Sequence, residues 1–307
     1  MNDRIPFRVH AMLPTLVHVP FDRPGWVYEE KYDGDRILAY KEGKVVRLLT
    51  RNGKDKTSQF SGIGAAIRNL PSTTLLLDGE IVVFDKQGVP RFQLLQEERG
   101  DPIYVIFDCL YCNGKDLRKE PLATRQAVME KSIDSNKLLR PSHRLAAAGL
   151  EAFRAAKSQG YEGLVAKELS SPYVEGRTTR WLKVKVRQED EFLVVGFTAP
   201  AGSRKYFGAL LLGAYDDRRL RYVGKVGTGF SRNTLATLYK RFLVLRRENT
   251  VLVDPPNERG ITFLAPQLIA QIAFQEWTAD GKLRQPVYLG LRDDKKPQEV
   301  LMPEAAV

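Results

Sequence analysis

The chain has 307 residues, of which 43% are hydrophobic and 28% charged, and its formal net charge is +11. It is long enough for two domains and apolar enough for a packed core. No apolar run approaches the ~18 residues that span a bilayer, and the N-terminus leads into no signal-like apolar segment. A cytosolic protein with a polyanionic partner is expected, because lysines and arginines that neutralise phosphates release counterions from nucleic acid.

Apolar runs and alternation predict strands over residues 26–31, 37–41 and 45–50, with Glu42-Gly43 turning the second pair into a hairpin. Further strands are expected at 75–84 and 103–110. Residues 121–133 read as a helix opened by Pro121, and 145–159 as a second helix stopped by Gly160. Strands at 164–168 and 181–186 follow. Cys109 and Cys112 have C-x-x-C spacing, but no second pair exists and His10, His18 and His143 lie elsewhere, so they read as reduced thiols.

From about Arg187 the texture changes. Short strands are expected at 192–197, 209–215, 221–226, 271–278 and 286–292, interrupted by a helix over 232–247 behind Ser231 as its N-cap. Such a set suits a small Greek-key barrel of OB type, with a β-sandwich extension of the first domain as the rival. The expected fold class is α+β: a domain of antiparallel sheets with flanking helices over 1–187, then an OB-fold β-barrel over 188–307. The polar run Arg187-Gln188-Glu189-Asp190-Glu191 is the candidate hinge. No internal repeat or low-complexity segment is present.

Charged residues stand at the ends of these apolar runs, where a sheet would present them to one cleft. The first group is Glu30-Lys31-Tyr32-Asp33-Gly34-Asp35-Arg36. A lysine amine attacks the α-phosphorus of a nucleotide only as the free base, so such a centre needs cations or a metal to bring an amine down from about 10.4. Alone, Asp-Gly reads as readily as a surface hairpin turn. It is followed by Thr50-Arg51-Asn52-Gly53, Asp78-Gly79-Glu80, Phe107-Asp108, Glu162-Gly163-Leu164-Val165-Ala166-Lys167 and Trp181-Leu182-Lys183-Val184-Lys185. Period two puts Lys183 and Lys185 on one strand face, where two ammonium groups can bind phosphate oxygens and offset transition-state charge. Arg292-Asp293-Asp294-Lys295 comes last.

In this order the motifs resemble those of the ATP-dependent DNA ligases, a nucleotidyltransferase superfamily that also holds RNA ligases and mRNA capping enzymes. The likeness is greatest to the ligase module of bacterial end-joining enzymes of the ligase D type. It implies an adenylation domain followed by an OB domain, ATP as cosubstrate, and Mg²⁺ or Mn²⁺. It implies Lys31 as the nucleophile that carries AMP, Asp33 near the reacting hydroxyl of the nick, Glu80 on the ribose and Glu162 in a metal-linked role. Lys183 and Lys185 serve the α-phosphate, and Lys183 also binds the nucleotide.

The same resemblance places the Glu29 main chain and the Phe107 ring against adenine, although a phenylalanine there also suits ordinary core. Arg36 and Arg51 contact the nucleotide or the nick 5′-phosphate, and Arg177 the nucleotide. Arg292, Asp294 and Lys295 swing over the nucleotide and orient pyrophosphate. Arg51, Arg204, Lys205 and Lys225 are expected on nucleic acid, whereas Lys240, Arg241, Arg246 and Arg247 read as a solvated helix face. Ion pairs are the alternative for several of these residues, Glu162 with Lys167 among them.

The expected function is ATP-dependent sealing of 3′-OH/5′-phosphate nicks through lysyl-AMP and DNA-adenylate, in DNA repair and end joining. The partners expected are nicked duplex DNA and end-binding repair proteins or a fused DNA-binding domain, for a cytoplasmic, nucleoid-associated monomer. The chain begins almost at its first motif, without the N-terminal helical DNA-clamping domain of larger ligases, so a weak unaided grip on DNA is expected. Two alternatives stay open: an RNA ligase or capping-type enzyme with the same lysine chemistry, and a non-catalytic DNA-end-binding module.

Overall fold

The computed structural model describes residues 5–133, 136–186 and 188–303, in two compact units, 1–187 and 188–307. Unit 1 carries β1 (Met12–Val17), β2 (Trp26–Glu30), β3 (Asp35–Glu42), β4 (Val45–Thr50), α1 (Ser61–Arg68), β5 (Thr74–Val82), α2 (Phe92–Gln96), β6 (Ile103–Cys112), β7 (Lys115–Asp116), α3 (Leu122–Ser132), β8 (Leu139–Pro141), β9 (Arg144–Ala146), α4 (Gly149–Gln159), β10 (Gly163–Glu168) and β11 (Gly176–Lys185). One sheet runs β1-β11-β10-β2-β9, and the other β4-β3-β5-β6-β7 with β8 beside β6. The chain leaves the first sheet at Glu30 and enters the second at Asp35, so the Lys31 motif is the crossover between them.

Strand alternation explains how the two sheets share a core. On β3, Ile37 and Ala39 face Leu48, Ile63, Ile67, Leu75 and Leu77, while Leu38 and Tyr40 face a second cluster that includes Leu76, Phe107, Leu110 and Trp181. Trp181 belongs to the first sheet, so this second cluster joins the two. Strands β5 and β6, buried on both faces, read in sequence as continuous apolar runs for that reason.

Several elements differ from expectation. The helix expected from residue 145 begins at Gly149, because Arg144–Ala146 pairs with β2 as β9. It ends as expected, with Gly160 in the left-handed region at φ 71°. Helix α1 lacks a sequence signal, since Gly62 and Gly64 lower its propensity; packing of Ile63 and Ile67 supports it instead. Strand β1 also lacks one, and it is held by parallel pairing with β11.

Unit 2 contains β12 (Glu189–Thr198), β13 (Leu210–Asp216), β14 (Arg219–Val226), α5 (Arg232–Leu243), β15 (Arg246–Arg247), β16 (Ile261–Ala273) and β17 (Val287–Arg292). The sheet order is β14-β13-β12-β16-β15, with β17 on β16, an OB-type arrangement whose core includes Phe192, Val194, Phe207, Leu238 and Phe242. Ser231 caps α5, its Oγ accepting the Thr234 N–H at 3.1 Å. The helix stops at Leu243 rather than at residue 247, because Arg246–Arg247 pairs with β16. The strand expected at 271–278 is instead the 13-residue β16. Pro266 masks it in the sequence, and it is tolerated because the β12 ladder jumps there from Leu268 to Phe263.

Of the expected hinge, Arg187 lies outside the described residues, and Glu189, Asp190 and Glu191 open β12, paired with Ala273, Ile272 and Gln271. Among the described residues no helix is long and apolar enough to cross a membrane.

Candidate active site

The end of β2 delivers Lys31 to β10. The Lys31 N–H donates to the Gly163 carbonyl at 3.0 Å, and its Nζ donates to Glu162 Oε2, with the two side chains 19% and 9% exposed. Strand β11 lies on the other side of β10, with Lys185 opposite Gly163 and Lys183 opposite Val165. Burial raises the Glu162 pKa, but Lys31, Lys185 and Lys183 outweigh it and hold the carboxyl below its ordinary value. Lys31 and the lysine pair Lys183 and Lys185, distant from it in sequence, therefore gather around one ionised carboxylate.

Two glycines make this approach possible. A Cβ on Gly163 would collide with the Val184 carbonyl oxygen, and one on Gly34 with that of Ile81. Gly34 has no positive φ, so in Lys31-Tyr32-Asp33-Gly34 it serves close packing on β5 and not a hairpin turn. Asp33 Oδ2 accepts the Phe92 N–H at 3.3 Å.

Behind the lysines lies a buried polar network. Arg36 donates to Asp78 through Nε at 2.6 Å and Nη2 at 2.7 Å, and Asp78 also accepts the Tyr173 hydroxyl at 2.7 Å. The Arg36 guanidinium stands 4.4 Å from the Phe107 ring centre, and Lys167 Nζ 4.3 Å from it. Phe107 itself is 7% exposed. Lys167 pairs with Glu29 at 2.7 Å rather than with Glu162, the alternative pairing open from the sequence. Gln126 Nε2 donates to Glu29 Oε1 at 2.7 Å, and Gln126 Oε1 accepts from Arg144 at 2.9 Å. Beneath Phe107 the Asp108–Arg125 pair is entirely buried, at 2.8 Å. Sequence reasoning missed Gln126 and the pairing of Asp78 with Arg36 and of Lys167 with Glu29; for Asp78 the local signal was a charge inside an apolar run.

The structure thus unites Lys31, Glu162, Lys183 and Lys185, with Glu29, Arg36 and Phe107 in the adjoining network. Glu80, half-buried on β5, pairs in register with Arg36 of β3. Arg51 lies in the turn after β4, and exposed Arg177 donates to the Pro14 carbonyl at 3.1 Å.

In unit 2, Arg292 grips Asp294 at 2.8 and 2.9 Å, and Lys295 pairs with Glu191. Burial raises the Asp294 pKa, yet Arg292 and Lys295 bring it below the usual value. Arg204 donates to the Gly227 carbonyl at 2.7 Å, Lys225 pairs with Glu258 at 2.7 Å, and Lys205 is exposed. Cys109 and Cys112 of unit 1 are free thiols.

Comparison with known proteins follows the same division. The family model for the ATP dependent DNA ligase domain matches residues 15–185, and that for the ATP dependent DNA ligase C terminal region matches 203–295. The multifunctional non-homologous end joining protein LigD of Pseudomonas aeruginosa is 40% identical over 309 residues, covering 96% of this chain and 37% of that protein. The LigD of Mycobacterium tuberculosis is 35% identical over 283 residues, with 90% and 37% covered. The solved mycobacterial DNA ligase D complexed with ATP and MES superposes with a TM-score of 0.74 at 32% identity, covering 97% of this chain and 100% of that one. The chain spans 37% of the length of these two LigD relatives.

Proposed function

Since the chain belongs to the ATP-dependent DNA ligase family and is an enzyme that forms phosphodiester bonds, we propose that it seals 3′-hydroxyl/5′-phosphate nicks in duplex DNA through AMP carried on Lys31. The observation that carries this reading is the Lys31–Glu162 contact with Lys183 and Lys185 beside it.

In the first step Lys31 Nζ attacks the α-phosphorus of ATP, forming an N–P bond as the bond to pyrophosphate breaks. Nζ attacks as the free base, and the Glu162 carboxylate in contact with it orients the amine. Lys183 and Lys185 offset the charge that gathers on the α-phosphate oxygens. A DNA 5′-phosphate oxygen then takes AMP from Lys31, and the 3′-hydroxyl, near Asp33, attacks the 5′-phosphorus and releases AMP.

Glu162 is a hard oxygen donor kept ionised by its neighbours, which fits Mg²⁺ or Mn²⁺, and it would help to hold such an ion. Such an ion, when bound, would withdraw charge from the α-phosphate.

On the nucleotide side, Phe107 and the Glu29 main chain are assigned to the base, Glu80 to the ribose, Arg177 to the nucleotide, and Arg36 and Arg51 to the nucleotide or the nick 5′-phosphate. Arg204, Lys205, Lys225 and Arg51 are assigned to the DNA backbone, where neutralising any one of them should lessen the salt dependence of binding. By likeness to the LigD proteins, the setting is end joining in a bacterial cytoplasm, alongside end-binding proteins or further domains.

Incubation with α-labelled ATP or GTP tests the reading. AMP bound to wild type, absent from Lys31→Ala and discharged by nicked DNA, is the expected outcome. A GMP adduct, or discharge by nicked RNA alone, would favour a capping enzyme or an RNA ligase, and no adduct at all would sink the catalytic reading.

A further inference from the structure

Glu30, the last residue of β2, is one bond from the nucleophile yet has no part in the chemistry above. Alternation along β2 turns it to the face opposite Glu29. Its side chain is buried, 5% exposed, and Oε1 has no hydrogen-bond partner. The nearest group able to carry positive charge is His143 Nδ1, 3.8 Å from Oε2 on a ring 61% exposed. Tyr32, Ser142 and Tyr161 supply only hydroxyls to this cluster. Helix α4 packs on the same sheet through Gly149, Ala152 and Ala156, which bring no charge.

A carboxylate in such surroundings is an uncompensated buried charge, whereas a carboxylic acid is not. Burial accordingly pushes Glu30 up to about 8, opposed by the Tyr32 hydroxyl. The segment around it is tied on both sides of Lys31, by a main-chain bond and by a side-chain hydroxyl. The Glu30 N–H donates to the His143 carbonyl at 3.0 Å, and the His143 N–H donates to Tyr32 Oη at 2.9 Å. Tyr161, which also senses Glu30, is the residue directly before Glu162. The cluster therefore underlies both members of the Lys31–Glu162 contact.

We propose that Glu30 is a positioning residue: its buried carboxyl, set among Tyr32, Ser142 and Tyr161, packs beneath the bonds that tie residues 30–32 to His143 and so keeps Lys31 on Glu162. The proposal rests on Lys31 being the nucleophile. Ionisation of Glu30 would loosen this seat, giving lysine adenylylation an ionisation that belongs to a group touching neither ATP nor metal.

The test is the single-turnover rate of AMP transfer from ATP to the full chain between pH 6 and 10, for wild type, Glu30→Gln and Lys31→Ala. The amide is uncharged throughout, so the ratio of Glu30→Gln to wild-type rate should rise about tenfold from pH 7 to pH 9, with the KM for ATP unchanged, as the neutral fraction of a carboxyl with a midpoint near 8 falls from about nine-tenths to about one-tenth. Parallel profiles would overturn the role of Glu30 and leave the nucleophile standing. An adduct on Lys31→Ala would overturn the nucleophile instead. Carbon-13 titration of the glutamate carboxyls in wild type needs no variant. One carboxyl titrating near 8 supports the proposal, and none above pH 6 overturns it.

Discussion

Arg36 and Asp78 meet fork to fork across neighbouring strands, Nε on Oδ1 at 2.6 Å and Nη2 on Oδ2 at 2.7 Å, with Asp78 entirely inaccessible to solvent. The arginine belongs to the Lys31 motif and the aspartate to the Glu80 motif, so this pair clamps one to the other. Removing one partner of a buried pair strands the other charge, which costs about 3–5 kcal/mol. Asp78→Asn should lower the urea unfolding midpoint accordingly. An unchanged midpoint would mean that the pair contributes nothing to holding the motifs together.

Lys183 and Lys185 are expected to act on the transition state more than on bound ATP. Truncating either to alanine should slow adduct formation by ~10²–10³ at saturating ATP, the range for removing one preorganised electrostatic donor. Rapid-quench measurement of labelled AMP transfer reads this directly. Slowing that disappears at high ATP would reassign both lysines to ground-state binding.

Two glutamates should shape stability against pH in opposite senses. Glu30 rises from 4.5 to about 8 on folding, so the folded chain holds its proton more tightly. Burying it therefore costs more as pH climbs from about 4.5 to about 8, and no more beyond. Glu162 is lowered below 4.5, so its contribution is present above 4.5 and is lost as pH falls through its folded value. Thermal melts from pH 3 to 9 should show Glu30→Gln flattening the decline between about pH 4.5 and 8, and Glu162→Gln flattening the loss below pH 4.5. Curves that simply shift in parallel would contradict both assignments.

Gly163 and Gly34 have no room for a methyl group against the Val184 and Ile81 carbonyls. Gly163→Ala and Gly34→Ala should each destabilise the protein by roughly 2 kcal/mol or more, since backbone must move. Gly62 of α1 has open space around its missing Cβ, so Gly62→Ala should stabilise by about 0.5–1 kcal/mol. Denaturation of the three variants side by side separates close packing from helix propensity.

The elements legible beforehand are those whose signals are local. Gly160 ends α4 and Ser231 caps α5, because a left-handed C′ position and an N-cap oxygen each depend on a few adjacent residues. The strands around Lys31, Glu80, Glu162 and Lys183 are readable from apolar runs and alternation for the same reason. Strand β1 was not, since its pairing with β11 joins Met12 to Gly176. Helix α1 was hidden by its glycines and β16 by Pro266, each overridden by packing or by a register jump that no short window contains.

For the candidate site, the sequence alone determined which side chains are available and their order: Lys31, Glu80, Glu162, Lys183 and Lys185, with a glycine at positions 34 and 163. Only the tertiary structure decided their partners. It set Lys31 on Glu162 across 131 residues of chain, gave Lys167 to Glu29 and Arg36 to Asp78, and buried Glu30 with its Oε1 lacking a hydrogen-bond partner. The physical reason is that charge and hydrogen-bonding capacity belong to each residue separately. Desolvation and ion pairing depend on distances that exist only once the two sheets of unit 1 have packed.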